Sequence, residues 1–269
     1  MPLKSIIFYF MAFIILSILT EVGGLALLFS IPVMLSIRNQ YRNRQKLIRF
    51  GIFTGAYLLT VFIVIPLLAP LYGRVQLPCF ATESAPLKPD NFGYCLLMRN
   101  YVKLELRDSL IKSTQILQGQ YPGIKVRYLD ANFPFRDGIP LFPHLSHNDG
   151  KKVDIAFFYK RKGSTKTVDF SPSFIGYWFY EQPLPQEKQP CKNQASWLRW
   201  DFNWLQPLYN NYEIDIPRTR ALLQLLTKNV QKIFVEPHLK QRLGVQSGII
   251  RFQGCRAARH DDHIHVQVK

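Results

Sequence analysis

Two long apolar runs near the start of the chain limit its possible folds more than any other feature. The first extends from Ile6 to Ile37 and the second from Gly51 to Tyr72, and few charges interrupt either run. Backbone N–H and C=O groups in lipid must be satisfied within the segment, so such runs predict transmembrane helices. The second run has the length of one span. The first fits either one long tilted helix or a tight helical hairpin that turns near residues 21–24.

A basic segment separates the two runs and predicts their orientation. Residues 38–50 carry five Lys and Arg side chains and no acid. Short loops rich in Lys and Arg stay on the cytoplasmic side, so the chain after Tyr72 is expected outside the cytoplasm, in the periplasm. The sequence therefore predicts a transmembrane anchor over residues 1–72, held in the inner (plasma) membrane, with a basic cytoplasmic loop at 38–50.

The cysteines agree with an oxidising compartment. All four, Cys79, Cys95, Cys191 and Cys255, follow the second apolar run. They predict two disulfides and allow three pairings. Closeness in sequence favours Cys79 with Cys95, which leaves Cys191 with Cys255. No two cysteines have CxxC spacing, which argues against zinc bound by thiolates.

Residues 73–269, here called the outer part, divide into a predicted linker at residues 73–100, rich in proline, and a domain at 101–269. Apolar periodicity within the domain alternates between helical and extended patterns, which predicts an α+β fold. The predicted helices are 100–119, 218–229 and 237–243, and the predicted strands are 124–131, 153–159, 167–170, 231–235 and 262–268. Residues 171–212 are predicted to be an insertion or lid, whose tryptophans are expected mainly in the core.

The charge of the outer part suggests an anionic neighbour. The whole chain has a formal charge of +16, and 28 of its 34 Lys and Arg and 17 of its 18 acids follow Tyr72, which leaves +11 there. Cell-wall polymer, lipid head groups and nucleic acid are all anionic. The extracytoplasmic placement argues against nucleic acid, and the sequence has no helix-turn-helix or RNP-like stretch. We therefore expect no nucleic-acid partner.

Five of the six histidines fall in two short segments, 143–154 and 259–268. Side chains alternate along a strand, so His263 and His265 share one face of the last predicted strand. His147 immediately precedes a strand that presents Asp154. Two strands of one sheet can bring His147, Asp154 and His265 to a common point. Two imidazoles and one carboxylate leave a fourth tetrahedral position for water, the pattern of a catalytic zinc site.

These two segments resemble the motifs of a known group of enzymes. Residues 146–155 resemble the first motif, H-x6-D with a central glycine, of the zinc peptidases of the lysostaphin, D-alanyl-D-alanine peptidase and hedgehog type. His263-Ile264-His265 resembles their second motif, HxH. Within the group the chain most resembles the penicillin-insensitive murein endopeptidases, whose additional histidine and H-D-x-H-x-H ending are matched by His144 and by residues 260–265. The resemblance covers roughly residues 120–160 and 230–269.

The resemblance implies a small antiparallel sheet that carries zinc, with His147, Asp154 and His265 as ligands. In some of these enzymes the counterpart of His144 binds a second ion, so His144 is a further candidate ligand. Their additional acids fall near residues 180–182 and have no match here.

The resemblance also implies a catalytic or transition-state-stabilising role for His263. Asp262, three residues before His265, matches the general base of some members, and His260 is another candidate. Adjacent residues of a strand point to opposite sides, which favours His263 over Asp262 as the general base.

The combined expectation is a membrane-anchored zinc metallopeptidase of murein endopeptidase or D,D-peptidase type that hydrolyses peptide bonds of peptidoglycan. Its expected partners are peptidoglycan peptides. The alternative is a non-catalytic, zinc-containing domain that binds cell-wall peptides. The chain departs from the murein endopeptidases in one respect, because those enzymes are soluble periplasmic proteins without membrane spans.

Overall fold

Three apolar helical segments open the chain. The computed structural model describes residues 3–37, 44–192, 194, 196, 199 and 201–269. Helix α1 covers Leu3–Thr20, α2 covers Gly23–Ser36 and α3 begins at Gln45. The segments Leu3–Thr20 and Gln45–Tyr72 are long and apolar enough to cross a membrane, and α2 is a shorter apolar helix.

The first apolar run is a helical hairpin, one of the two predicted possibilities. The chain turns at Glu21, whose φ is +63°, before α2 begins. The two helices pack closely at Gly24, where an added Cβ would lie 2.2 Å from the hydroxyl oxygen of Ser17. The carboxylate of Glu21 accepts hydrogen bonds from the backbone N–H groups of Phe135 (3.2 Å) and Arg136 (3.1 Å). The hairpin turn is thereby attached to the outer part of the protein.

The second apolar run is one long, locally irregular helical segment. Helix α3 (Gln45–Leu59) passes through a π-helical turn (Thr60–Val64) into α4 (Ile65–Leu68) and a 3-10 turn (Ala69–Tyr72). Pro66 lacks an N–H, which explains a local departure from regular α-helical bonding in the preceding turn. The predicted basic loop is shorter than expected because α3 already begins at Gln45. Its residues 38–43 lie outside the described residues.

The outer part contains four further helices and eleven strands within the described residues. The helices are α5 (Gly93–Leu96), α6 (Leu104–Gln120), α7 (Ile216–Leu226) and α8 (Pro237–Leu243). The strands are β1 (Val75–Gln76), β2 (Leu87–Pro89), β3 (Tyr101–Val102), β4 (Val126–Tyr128), β5 (Lys152–Ala156), β6 (Tyr159–Arg161), β7 (Thr167–Val168), β8 (Tyr212–Ile214), β9 (Lys232–Phe234), β10 (Ile250–Arg251) and β11 (His263–Gln267). This mixture of helix and sheet agrees with the predicted α+β class.

The central sheet differs from the small antiparallel sheet that the sequence predicted. It has six strands in the order β10-β9-β11-β5-β4-β2, and the pairs β10–β9 and β2–β4 are parallel. The prediction of an all-antiparallel sheet is therefore wrong. Its two outermost strands have only two and three residues, too few to show an alternating pattern. A separate three-stranded sheet has the order β7-β6-β8.

The segment 73–100 also differs from the predicted linker. It contributes β2 to the central sheet, and Leu77, Leu87 and Cys95 are fully buried in the main core. A disulfide joins Cys79 to Cys95, and a second joins Cys191 to Cys255, which confirms the favoured pairing. Prolines in this segment mark short turns between packed residues rather than an extended tether.

The predicted insertion at residues 171–212 contains little regular structure within its described part, apart from a 3-10 segment at Asn203–Tyr209. Trp178 is half-buried, whereas Trp204 is 72% exposed, so the expectation of a core position is wrong for Trp204. Trp197 and Trp200 lie outside the described residues. Helices α6 and α7 pack against each other and supply leucines to the main core.

Candidate metal centre

The register of two central strands brings the predicted site residues together. Strand β11 pairs with β5 in antiparallel register, and His265 lies directly opposite Asp154. Directly opposite residues present their side chains on the same face of the sheet. His263 faces Ala156, two positions along, and shares that face. The other face of β11 carries Ile264 and Val266, which are fully buried in the core and fix the strand's orientation.

His147 reaches the same point from the loop before β5. Its Nδ1 lies 2.8 Å from the backbone carbonyl of Ala131, three residues after the end of β4. An imidazole N–H donated to a carbonyl fixes the tautomer and turns the other nitrogen, Nε2, towards the site. His147 Nε2 lies 3.3 Å from Asp154 Oδ1. All three predicted ligands are almost completely buried.

The spacing of the predicted ligand atoms suits a tetrahedral metal ion. Ligand atoms at about 2.05 Å from a tetrahedral zinc ion are separated from one another by about 3.3 Å. His147 Nε2 lies 3.2 Å from His265 Nδ1 and 3.3 Å from Asp154 Oδ1, and His265 Nδ1 lies 2.8 Å from that oxygen. The three atoms therefore form a triangle close to the face of such a tetrahedron. An N₂O donor set of this kind fits zinc.

His144 contacts the other oxygen of the same carboxylate. Its Nδ1 lies 2.8 Å from Asp154 Oδ2, and His144, His147 and Asp154 form a group that could hold a metal ion. The hydroxyl of Tyr177 donates to the same Oδ2 at 2.8 Å and accepts a hydrogen bond from the backbone N–H of Asp130 at 3.1 Å. These contacts occupy Oδ2 and leave Oδ1 directed towards His147 and His265.

Asp262 faces His263 and not the centre of the cluster. One carboxylate oxygen lies 2.5 Å from His263 Nδ1, and the other accepts the backbone N–H of Trp178 at 2.6 Å. This leaves His263 Nε2 as the nitrogen that faces the site, 3.5 Å from Asp154 Oδ1. Asp262 and His263 thus form a carboxylate–imidazole pair, in which the carboxylate orients the ring.

His260 completes the histidine cluster. Its ring centre lies 5.0 Å from that of His263 and 5.5 Å from that of His265. The neighbouring Asp261 is buried in an ion pair with Arg259. The sixth histidine, His238, lies outside the cluster, where its Nε2 contacts the backbone carbonyl of Glu181 at 2.7 Å.

The cluster has a strong internal electrostatic bias. Burial raises the pKa of the Asp154 carboxyl, but the imidazoles of His147 and His263 outweigh it and hold that pKa well below the ordinary value. Burial lowers the pKa of His263, but Asp154 and Asp262 outweigh it and raise the pKa to about 9. Burial lowers the pKa of His265 to about 4. Asp154 is therefore ionised and His265 neutral near pH 7, the forms in which both can bind a metal ion. Burial lowers the pKa of His147, but Asp154 outweighs it and raises that pKa, so a metal ion would compete with a proton for this ring.

One pocket exposes the cluster to solvent. Every predicted site residue except the fully buried Asp154 lines it, namely His144, His147, His260, Asp262, His263 and His265. Pro143 and Leu145 form part of its rim, and Tyr177, Trp178 and Tyr180 form an aromatic wall. Arg199, which pairs with Glu236 at 3.3 Å, and the exposed Arg256 also line it.

Sequence reasoning missed the residues that orient the candidate ligands. Tyr177 and Asp130 lie in irregular segments, where no periodicity shows which way a side chain points. The aromatic character of residues 171–212 was the one available signal for Tyr177. Comparison of the sequence with models of protein families finds no match, and comparison with curated proteins also finds none.

Proposed function

We propose that this protein is a membrane-anchored zinc metallopeptidase that hydrolyses peptide bonds of peptidoglycan outside the cytoplasm. The observation that carries the proposal is the triangle formed by His147 Nε2, His265 Nδ1 and Asp154 Oδ1. Two of its edges, 3.2 and 3.3 Å, are close to those of a tetrahedral zinc site, the third is 2.8 Å, and such a site keeps one position for water. The motif resemblance to murein endopeptidases supplies the substrate class.

The residues around the triangle support hydrolysis over a purely structural zinc site. His147, Asp154 and His265 would hold the ion, with His144 beside them on the second carboxylate oxygen. Such an ion, when bound, supplies Lewis acidity that activates water at neutral pH and polarises a carbonyl group. His263 Nε2 lies beside the triangle, 3.5 Å from Asp154 Oδ1, and is the atom that would take up or release a proton during hydrolysis. Asp262 holds the Nδ1–H and keeps Nε2 directed into the pocket.

The topology of the anchor supports an extracytoplasmic site. The hairpin turn at Glu21 and the helix end at Tyr72 both contact Phe135 of the outer part, so turn and helix end lie on one side of the membrane. The start of α3 at Gln45 would then lie on the opposite side, and the basic composition of the sequence 38–50 favours the cytoplasm for that side. Two disulfides in the outer part agree with an oxidising compartment.

The proposal is tested by incubating the zinc-loaded full chain with cross-linked muropeptides and analysing the products by mass spectrometry. We expect new peptide termini from the wild-type protein and none after zinc is removed by a chelator. The double variant His147→Ala/His265→Ala should also give none. Hydrolysis by the double variant would overturn the proposal. Bound zinc without hydrolysis of any muropeptide would favour the non-catalytic wall-binding alternative.

A further inference from the structure

The outer part packs against the side of the third helical segment, Gln45–Tyr72, and not only at its C-terminal end. The hydroxyl of Tyr57 donates to the backbone carbonyl of Leu96 at 2.7 Å, and the ring of Tyr72 contacts that of Phe135 at 4.9 Å. Fifteen residues separate Tyr57 from Tyr72, which corresponds to about 22 Å of helix. The contact therefore extends over about half of the Gln45–Tyr72 segment.

The two sides of these helical turns have different surroundings. Val61, Ile65 and Ala69 are buried in a cluster that includes Met98 and Tyr101 of the outer part. The other side of the same turns exposes large apolar side chains, namely Leu58, Leu59, Ile63, Leu67 and Leu71. A continuous exposed apolar face on a membrane helix is stable against acyl chains and unstable against water. The outer part therefore packs on one side of these turns and leaves the apolar side open.

A fixed aromatic loop continues this apolar surface into the outer part. Phe92 stacks on Phe62 of the helix, with ring centres 5.9 Å apart and ring planes at 16°, and Phe80 packs on Phe92 at 5.6 Å. Phe80 remains 70% exposed although the disulfide between Cys79 and Cys95 fixes its loop.

A third exposed aromatic residue lies on a segment that is hydrogen-bonded to Asn91, the residue before Phe92. Phe174 is 87% exposed, and its backbone carbonyl accepts a hydrogen bond from the side-chain amide of Asn91 at 3.1 Å. Exposed aromatic rings that adjoin a membrane helix fit the boundary between acyl chains and head groups.

We infer that Phe80, Phe92 and Phe174 form a lipid-facing patch in the outer leaflet, so that the outer part rests on the bilayer. The inference relies on the membrane anchoring included in the proposed function. The patch contacts lipid because it is continuous with the exposed apolar face of the anchor.

The test is photo-cross-linking of the full chain in nanodiscs of phosphatidylethanolamine and phosphatidylglycerol. The photoreactive residue p-benzoylphenylalanine replaces Phe80 in one protein and Phe174 in a second. In a third it replaces Phe50, which is 66% exposed on α3 and reports the anchor itself. The matched control is Leu184, which is 46% exposed and whose backbone N–H donates to Glu187, the partner of Arg242 on α8. Helix α8 joins β9 to β10, the two strands at the other end of the sheet from β2.

Lipid adducts at positions 80, 174 and 50, with at least tenfold fewer at 184, are the expected result by mass spectrometry. Adducts at 50 but not at 80 and 174 would leave the anchor in place and overturn the inference. Equal adducts at 80 and 184 would also overturn it, and no adducts at 50, 80 and 174 would refute the anchoring together with the patch. The readout involves neither metal nor hydrolysis, so its failure is distinct from failure of the peptidase proposal.

Discussion

Replacing Tyr177 by phenylalanine tests the orientation of the candidate metal ligands. The Tyr177 hydroxyl holds Asp154 Oδ2 at 2.8 Å in a nearly fully buried site and leaves Oδ1 facing His147 and His265. A hydrogen bond to a charged group contributes about 1.5–3 kcal/mol. Without it His144 is the remaining contact described for Oδ2, and the carboxylate is less firmly oriented. Tyr177→Phe should therefore weaken zinc binding about 10- to 100-fold, the usual effect of losing a residue that orients a ligand.

The assay is competition for zinc between the full chain in nanodiscs and a chromophoric chelator. Tyr128→Phe is the matched control, because the Tyr128 hydroxyl is also buried but donates to the carbonyl of Pro78, away from the candidate ligands. This control should lower the unfolding temperature and leave the zinc affinity within about twofold of wild type. Equal affinity of Tyr177→Phe and wild type, or equal weakening by both variants, would refute the role of Tyr177.

Three further predictions follow from particular contacts. Asp262→Asn should lower kcat about 100-fold or more while zinc remains bound, because His263 loses the carboxylate that orients it; complete retention of kcat would contradict this. Burial raises the pKa of Glu181 from 4.5 to about 7, so its contribution to stability is present below pH 4.5 and lost as pH rises through 7, a change of about 3 kcal/mol. The unfolding temperature of wild type should therefore fall more steeply between pH 5 and 8 than that of Glu181→Gln. An equal fall of the unfolding temperature in both proteins would refute the raised pKa of Glu181. Glu21→Ala leaves the N–H groups of Phe135 and Arg136 without their carboxylate and should accelerate their hydrogen exchange, whereas unchanged exchange would show that the turn does not hold this loop.

The parts of the fold that could be predicted have a strong local pattern. Alternation over residues 262–268 placed His263 and His265 on one face, and the structure has a strand there in register with Asp154. The helix at Pro237–Leu243 begins with a proline and ends at a left-handed glycine, Gly244, both of which the sequence shows directly. These elements needed no information from distant residues.

The remaining parts depend on distant contacts. Strand β2 has three residues, and only its pairing with β4 makes it part of the sheet, so a proline-rich segment looked like a linker. Asp262 was a candidate base by spacing, but its direction depends on Trp178, whose N–H it accepts from a distant irregular segment. The hairpin turn could not be chosen from the apolar run alone, because Glu21 is held by Phe135 and Arg136 far along the chain.

The most direct test of the proposed centre is zinc X-ray absorption of the purified full chain, with zinc content measured on the same sample. Both disulfides are formed and the described residues include all four cysteines, so no thiolate is available as a ligand. We predict one tightly bound zinc ion per chain with only nitrogen and oxygen neighbours at about 2.0–2.1 Å, and loss of that ion in His147→Ala/His265→Ala. Absence of stoichiometric zinc, a sulfur neighbour at about 2.3 Å, or an unchanged spectrum in the double variant would contradict the account.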